Sequence, residues 1–245
     1  MVKDEIIGVV TDPGSSLSPE AARRKGVLLL DPAAPLEPQY RRWLEHYDRL
    51  VSLHASPLLC PMYDAVAESL SGLADRVRIV DTRLGSAGLG AAALRAAEWL
   101  AQGAGEQETL AEVARLTQEG RFYLAAHDLH MLQENGMIPR LAARFGEALG
   151  FWALFTLEHG RFQSPRPLRQ GQVLEATTRL LERRYRHQRL RVRAVVGDLP
   201  DEVRHRFRDV LSERLHLESG SLAPMDPVAR MRVGDHALAV FAYPV

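Results

Sequence analysis

Thr11, Asp12, Ser15 and Ser16 fall within six residues of one another, in the stretch VVTDPGSSL (9–17). One carboxylate and three hydroxyls standing directly after an apolar run can hold the polar head of a ligand. They can equally satisfy the backbone of their own turn, as Asp and Ser often do. Further along, HDLH (127–130) places two histidines three residues apart, the spacing that lets a helix turn both toward one metal ion. Asp128 suits a helix N-cap better, however, and no third ligand lies nearby, so no metal site is assigned.

GSAGLG (85–90) offers glycines before a helix in the order G-x-x-G-x-G. A dinucleotide's pyrophosphate requires G-x-G-x-x-G, so the stretch reads as an eased turn and no cofactor is assigned. RRYRHQRLRVR (183–193) is the densest basic run, with Tyr185 as its one aromatic. A nucleic-acid groove needs such charge together with stacking platforms. The run reads instead as a solvated strand face with its arginines toward water, and no nucleic-acid partner is expected. No G-x-S-x-G elbow and no phosphate loop occur. Cys60, the single cysteine, lies between Leu59 and Pro61 without a cation beside it and reads as an inert thiol.

These groups are carried by elements that alternate along the chain. Apolar runs predict strands at 5–10, 27–30, 49–54, 76–81, 121–126, 151–158, 190–196 and 237–243. Between them, amphipathic or capped stretches predict helices near 19–25, 38–47, 62–73, 89–102, 106–118, 128–135, 139–149, 170–186 and 200–215. Such alternation implies parallel pairing with helices covering the sheet. Ligands of open parallel sheets sit beyond the carboxyl ends of the strands. Asp12, Ser56 and Asp81 all fall at such ends and are expected to share one rim.

The bulk properties narrow the function classes. The chain has 245 residues, 31 basic and 31 acidic, so net charge draws it toward neither nucleic acid nor an anionic membrane. One cysteine excludes an internal disulfide. The apolar run at the amino terminus is too short for a leader, and no stretch approaches the roughly 20 apolar residues of a membrane span. Stable membrane insertion is therefore not expected, and a cytoplasmic location is.

Read in order, several segments resemble the DegV family of fatty-acid-binding proteins. VVTDPGSSLSPE resembles its first strand, T-D-S-type turn and helix. YDRLVSLHASPLLCPMYDA stands where the family has a strand and the loop S-S-x-L-S-G-T. VRIVDTRLGSAGLGAAALRAAEWLAQG matches the v-i-D-t strand and G-l-G helix, and FYLAAHDLHMLQENGMI matches L-x-x-L-x-x-G-G-R-I in part. LEHGRFQSPRPLRQGQVLEATTRLL resembles the later turn and Arg-bearing segment, and RMRVGDHALAVFAYP the last motif, H-x-G-P-G, with its strand.

The resemblance implies two α/β domains, 1–118 and 119–245, the first with a mainly parallel sheet flanked by helices, and a ligand cleft between them. It implies a long-chain fatty acid or similar amphiphile as ligand, an apolar tunnel for the acyl chain and no chemistry of the protein's own. It also implies presentation of the bound carboxyl group to a separate fatty-acid kinase. The residues expected to hold the carboxylate are Thr11, Asp12, Ser15 and Ser56, with Arg232 in the place of the family's terminal histidine. Arg169 matches the family's later arginine and is expected at the surface, facing a partner.

The departures are chemically directed. The first serine of the loop motif is Ala55, and its later serine, glycine and threonine are Leu59, Cys60 and Pro61. Met137 replaces an arginine, the T-S-Q-P-S loop has no counterpart, and a segment before LDPAAPLEPQYRRW is missing. Neutral donors are thus lost, while Arg232 offers a permanent bidentate one. Two other readings stay open. In one, Leu59 and Pro61 fill the cavity and the protein acts through protein contacts. In the other, it is an enzyme on a small acid, with Asp12 and His127 as acid and base.

Overall fold

The protein is described by a computed structural model covering residues 5–140 and 150–245. Backbone contacts divide the chain into two compact units, 1–118 and 119–245. The helix expected over 139–149 lies almost entirely outside the described residues.

In the first unit four strands run parallel: β1 (Ile7–Thr11), β2 (Val27–Leu29), β3 (Arg49–His54) and β4 (Val77–Asp81), in the order β2-β1-β3-β4. β1 and β3 are buried along nearly their whole length, as inner strands covered on both faces are, whereas the edge strand β4, VRIVD, exposes Arg78. Short helices return the chain each time: α1 (Pro19–Arg24), α2 (Leu36–Trp43) and α3 (Met62–Ser69). Helix α1 begins where Ser18 accepts the Ala21 amide at 3.1 Å, with Pro19 in the first helical position. Tyr40, Leu50, Val66 and Leu70 close the core on one side. Helix α4 (Ser86–Ala101) carries nine buried residues, mostly alanine and glycine, and α5 (Glu106–Glu119) follows. Small side chains let α4 lie close against the sheet and the turn after β1.

The second unit is built differently. Its six strands are β5 (Arg121–Ala126), β6 (Phe151–Glu158), β7 (Arg161–Arg169), β8 (Leu190–Val196), β9 (Leu217–Pro224) and β10 (Ala237–Pro244). They lie in the order β7-β6-β5-β10-β8-β9, and every pairing is antiparallel except β8 with β9. Helices α6 (Leu129–Glu134), α7 (Val173–Tyr185), α8 (Asp201–Arg214) and α9 (Pro227–Val233) complete it. Trp152, Leu181, Val192, Phe207, Leu211 and Val240 belong to one core between sheet and helices.

Two expectations are corrected here. Parallel pairing, inferred from strand–helix alternation, holds in the first unit and fails in the second. There β7 and β9, both edge strands, were not foreseen. Their Pro, Gly and Ser content argues against strands, yet an edge tolerates such residues because one side of the ladder is free. The arginines of LRVRAVV do not all face water either. Arg193 is 7% exposed, and loss of solvation pushes its guanidinium down to about 10. Its neighbour Arg191 is half-buried.

Candidate functional site

Strand β1 delivers Thr11 and then Asp12 to the carboxyl end of the parallel sheet, and β3 delivers His54 beside them. Thr11 Oγ1 donates to Leu53 O at 2.9 Å, which ties the two strand ends together and leaves that oxygen free only to accept. Asp12 is 1% exposed. Its Oδ2 receives the Ala55 amide at 3.3 Å and faces His54 Nδ1 at 3.2 Å.

The imidazole continues inward. His54 Nε2 lies 2.7 Å from Ser52 Oγ, and Ser52 Oγ lies 2.6 Å from the Tyr40 hydroxyl on α2. One proton arrangement satisfies every member. Nδ1–H donates to the carboxylate, so neutral Nε2 accepts from Ser52, whose oxygen accepts from Tyr40. Burial pushes the Tyr40 phenol well above its ordinary value, with Ser52 pulling the other way and the charge of Asp12 adding to the rise. Tyr40 therefore stays a donor. The Tyr63 ring of α3 packs edge-on behind His54 at 6.4 Å.

Two polar atoms of the rim are left over. Among the described residues, Asp12 Oδ1 and Ser15 Oγ are buried without a hydrogen-bond partner. Such an orphan costs about 1–3 kcal/mol. A Cβ at Gly14 would stand 2.8 Å from Oδ1, so only glycine leaves that oxygen its space. Around it, Ser16 and Ser86 meet through their hydroxyls at 2.9 Å, and both sit in the left-handed region, at φ 51° and 43°. Left-handed backbone is unfavourable for a residue with a side chain and clusters at functional sites. Ser56, two residues beyond β3, is buried and accepts the Leu58 amide at 3.4 Å, so its own hydroxyl proton can still donate.

The rim thus gathers Thr11, Asp12, Ser15 and Ser56. Asp81 is the last residue of β4, where its side chain accepts the Arg83 amide at 2.7 Å. His54, Ser52, Tyr40 and Ser86 were missed, and Ser16 was noted in its stretch without being assigned to the site. The signal for two of them lay in RLVSLH, where Ser52 and His54 stand two apart and so share one face of a strand. Of the loop replacements, Leu59 is half-buried and Pro61 exposed, so Pro61 fills no cavity in this unit.

In the second unit Arg232 is half-buried in the last turn of α9, and its carbonyl accepts from Asn135 Nδ2 at 3.2 Å. Gly234 ends that helix at φ 82°, where a Cβ would lie 2.4 Å from the Cβ of Asp128. Asp128 caps α6 by accepting the Met131 amide at 3.1 Å, the role expected of it. His127 is exposed, with its ring 5.6 Å from Trp152 and 6.3 Å from His236. The imidazole beside Asp12 is that of His54. Arg169 ends β7 and is exposed.

The same unit holds a cleft of about 510 Å³ between the sheet and helices α7 and α8. Trp152, Leu174, Leu199, Val203 and Leu238 form much of its wall, with Glu175 and Arg206 adding charge. This volume lies within the range of about 300–1,000 Å³ common for small-molecule sites. Among the described residues, no helix is long and apolar enough to cross a membrane.

Known proteins match this architecture. A DegV-domain protein of Deinococcus radiodurans is 28% identical over 210 residues, which is 84% of this chain and 74% of that protein. One from Streptomyces coelicolor is 34% identical over 125 residues, 51% of this chain and 44% of its own length. Among solved structures, a DegV family protein of Thermus thermophilus, described for its fatty-acid binding, superimposes with a TM-score of 0.87. It shares 23% identity, over 98% of this chain and 100% of that one. DegV of Bacillus subtilis, described as a fatty acid binding protein, gives 0.83 at 16% identity, over 98% and 100%. A stearic-acid-binding protein of Eubacterium ventriosum gives 0.78 at 14% identity, over 98% of each chain. The model of the DegV family matches residues 32–245, and with most of its length so matched the chain belongs to the DegV family.

Proposed function

We propose that this protein binds a long-chain fatty acid and carries it without altering it. The observation that carries the reading is the cleft of the second unit, whose walls are mainly apolar. A nucleotide or a small acid would find few polar partners there, whereas an acyl chain needs none. Burying each methylene is worth about 0.8 kcal/mol, so a long chain gains most of its affinity from such a wall. The fatty acids named for the Thermus, Bacillus and Eubacterium proteins support the same ligand class.

The carboxyl group falls to the polar residues. Ser15 and Ser56 supply hydroxyl donors, Thr11 lies beside them with its proton engaged by Leu53 O and lines the site, and Arg232 supplies the permanent charge that replaces the family's terminal histidine. Presentation of the carboxyl group to a fatty-acid kinase, with Arg169 on the docking face, completes the proposal. Solvent extraction of freshly purified protein followed by mass spectrometry tests the ligand class. Stoichiometric fatty acid is expected, and stoichiometric nucleotide without lipid would overturn the carrier reading.

A further inference from the structure

Asp12 is an awkward neighbour for a fatty-acid carboxylate. Two carboxylates in one buried site repel, and such pairs hold on to one proton between them. Yet Asp12 is fixed where it stands. Oδ2 is held by the Ala55 amide and by His54, and His54 is held in turn by Ser52 and Tyr40. Every bond in that chain ends on Oδ2. None reaches Oδ1, which lies buried over Gly14 with the equally unpartnered Ser15 hydroxyl on the same turn. The site therefore presents one oriented acceptor and asks its ligand for a proton.

We propose that a bound fatty acid and Asp12 share one proton, held between the ligand's carboxyl group and Asp12 Oδ1, so that binding at neutral pH draws a proton from solvent. This rests on the fatty-acid reading above and adds the ionisation state of the bound ligand. A free fatty acid at neutral pH is a carboxylate. On entry one proton comes from water or buffer and stays in the pair, and no bond between heavy atoms forms or breaks. The pair then carries one negative charge, which a single arginine balances. The titratable groups facing Asp12 are His54 from β3, Tyr40 from α2 through Ser52, and Tyr63 from α3 behind the imidazole. Tyr40 is held protonated by burial. The His54 imidazole, bonded to Oδ2, is the alternative seat for the proton that the experiment must tell apart. Tyr40, Ser52 and His54 act as positioning residues: they fix which carboxylate oxygen is free.

The experiment is calorimetric titration of the full chain with stearic acid at neutral pH, in buffers of different ionisation enthalpy. The dependence of the observed heat on the buffer counts protons taken up. Wild-type protein is expected to take up about one proton per stearic acid, and none with stearyl alcohol, which brings its own. Asp12→Asn should bind stearic acid without uptake. His54→Asn, whose amide reproduces the Nδ1–H donor, should bind more weakly with uptake intact. Binding by wild type without uptake would overturn the proposal and leave Oδ1 as the seat of a buried water only. So would uptake that survives Asp12→Asn and vanishes in His54→Asn, since the imidazole would then be the proton's seat. If Asp12→Asn fails to fold, the contrast between acid and alcohol on wild type decides alone. If wild type binds neither compound, the fatty-acid reading itself falls and takes this one with it.

Discussion

The two units hold their candidate binding surfaces by opposite means. At the sheet end of the first unit, position is fixed by directed bonds: Tyr40 to Ser52, Ser52 to His54, His54 to Asp12. The cleft of the second unit has few directed polar groups, and its shape comes from the packing of α7 and α8 on an antiparallel sheet. A hydrogen-bonded chain can present one oxygen at one place, at the risk of leaving an unpaired atom when empty. An apolar wall cannot orient a ligand, but it gains free energy from each methylene it covers and tolerates chains of different length. Recognition of a head group and retention of a tail are different physical tasks. On the proposed reading they fall to different kinds of residue.

The contrast is broken most strongly by closing the cleft. Val203 is half-buried in its wall, on α8. Val203→Trp should occupy the volume of about three methylenes. At about 0.8 kcal/mol each, that loses roughly 2.4 kcal/mol. Affinity for stearic acid should then fall roughly fifty-fold, since about 1.4 kcal/mol is a factor of ten. An eight-carbon acid should be affected far less. Titration of both acids checks this, and an equal loss for both would mean that the chain lies elsewhere.

Removing the charge comes next. Truncating one partner of a desolvated charge pair typically costs about 2–5 kcal/mol, in part because the other charge is stranded, and the half-buried Arg232 belongs at the lower end of that range. Arg232→Ala should therefore weaken stearic-acid binding at least tenfold. Arg232→Lys should recover only part, because an ammonium cannot form the same planar fork. Wild-type affinity for Arg232→Ala in a fluorescent fatty-acid titration would place the anchor on another residue.

A smaller effect sharpens the polar side of the contrast. Tyr40→Phe deletes the far end of the hydrogen-bonded chain at a fully buried position. Net loss of one such bond is worth about 0.5–1.5 kcal/mol. Denaturant unfolding should show a free-energy loss of about that size, read as a lower midpoint with an unchanged slope. Fatty-acid affinity should change by a few-fold at most, since His54 keeps Ser52 as its donor. A much larger loss of affinity would show that Tyr40 orients the carboxylate and does not merely support it.

The sequence discloses these two regions unequally. VVTDPGSSL announces a polar rim because hydroxyls and a carboxylate follow a buried strand, and the strands of the first unit follow from short apolar runs and, at β4, from alternation. The hydrogen-bonded chain was hidden because its members come from α2, β1 and β3, and because a histidine inside a strand looks like any other core polar residue. The positive φ of Ser16 and Ser86 has no mark in sequence at all, since serine gives no sign of a left-handed backbone. In the second unit β7 and β9 escaped because Pro, Gly and Ser disguise edge strands, and without them an antiparallel sheet cannot be told from a parallel one. Arg193 was misread for a related reason. Alternation predicts which residues share a face, but it does not say which face meets water.

The smallest expected effect concerns Arg169. It ends β7 at an edge of the second sheet, exposed, with its backbone amide bound to Gln172 Oε1 at 3.1 Å. The side chain is not among those lining the cleft of its own unit. Surface substitutions away from buried or bonded features usually change stability by within about 0.5 kcal/mol. Arg169→Ala should accordingly leave both the unfolding midpoint and stearic-acid affinity within about twofold of wild type. Arg169→Glu gives the stronger form of the test. Reversing a rim charge slows association with a partner of complementary potential and alters its salt dependence while leaving a small neutral ligand untouched. If Arg169 faces a kinase, Arg169→Glu should slow phosphorylation of the bound acyl carboxylate in a reconstituted assay while stearic-acid affinity holds. Loss of stearic-acid binding in Arg169→Ala would instead move Arg169 from the docking face into the ligand site, and the division between a polar head site and an apolar cleft would need a second cation.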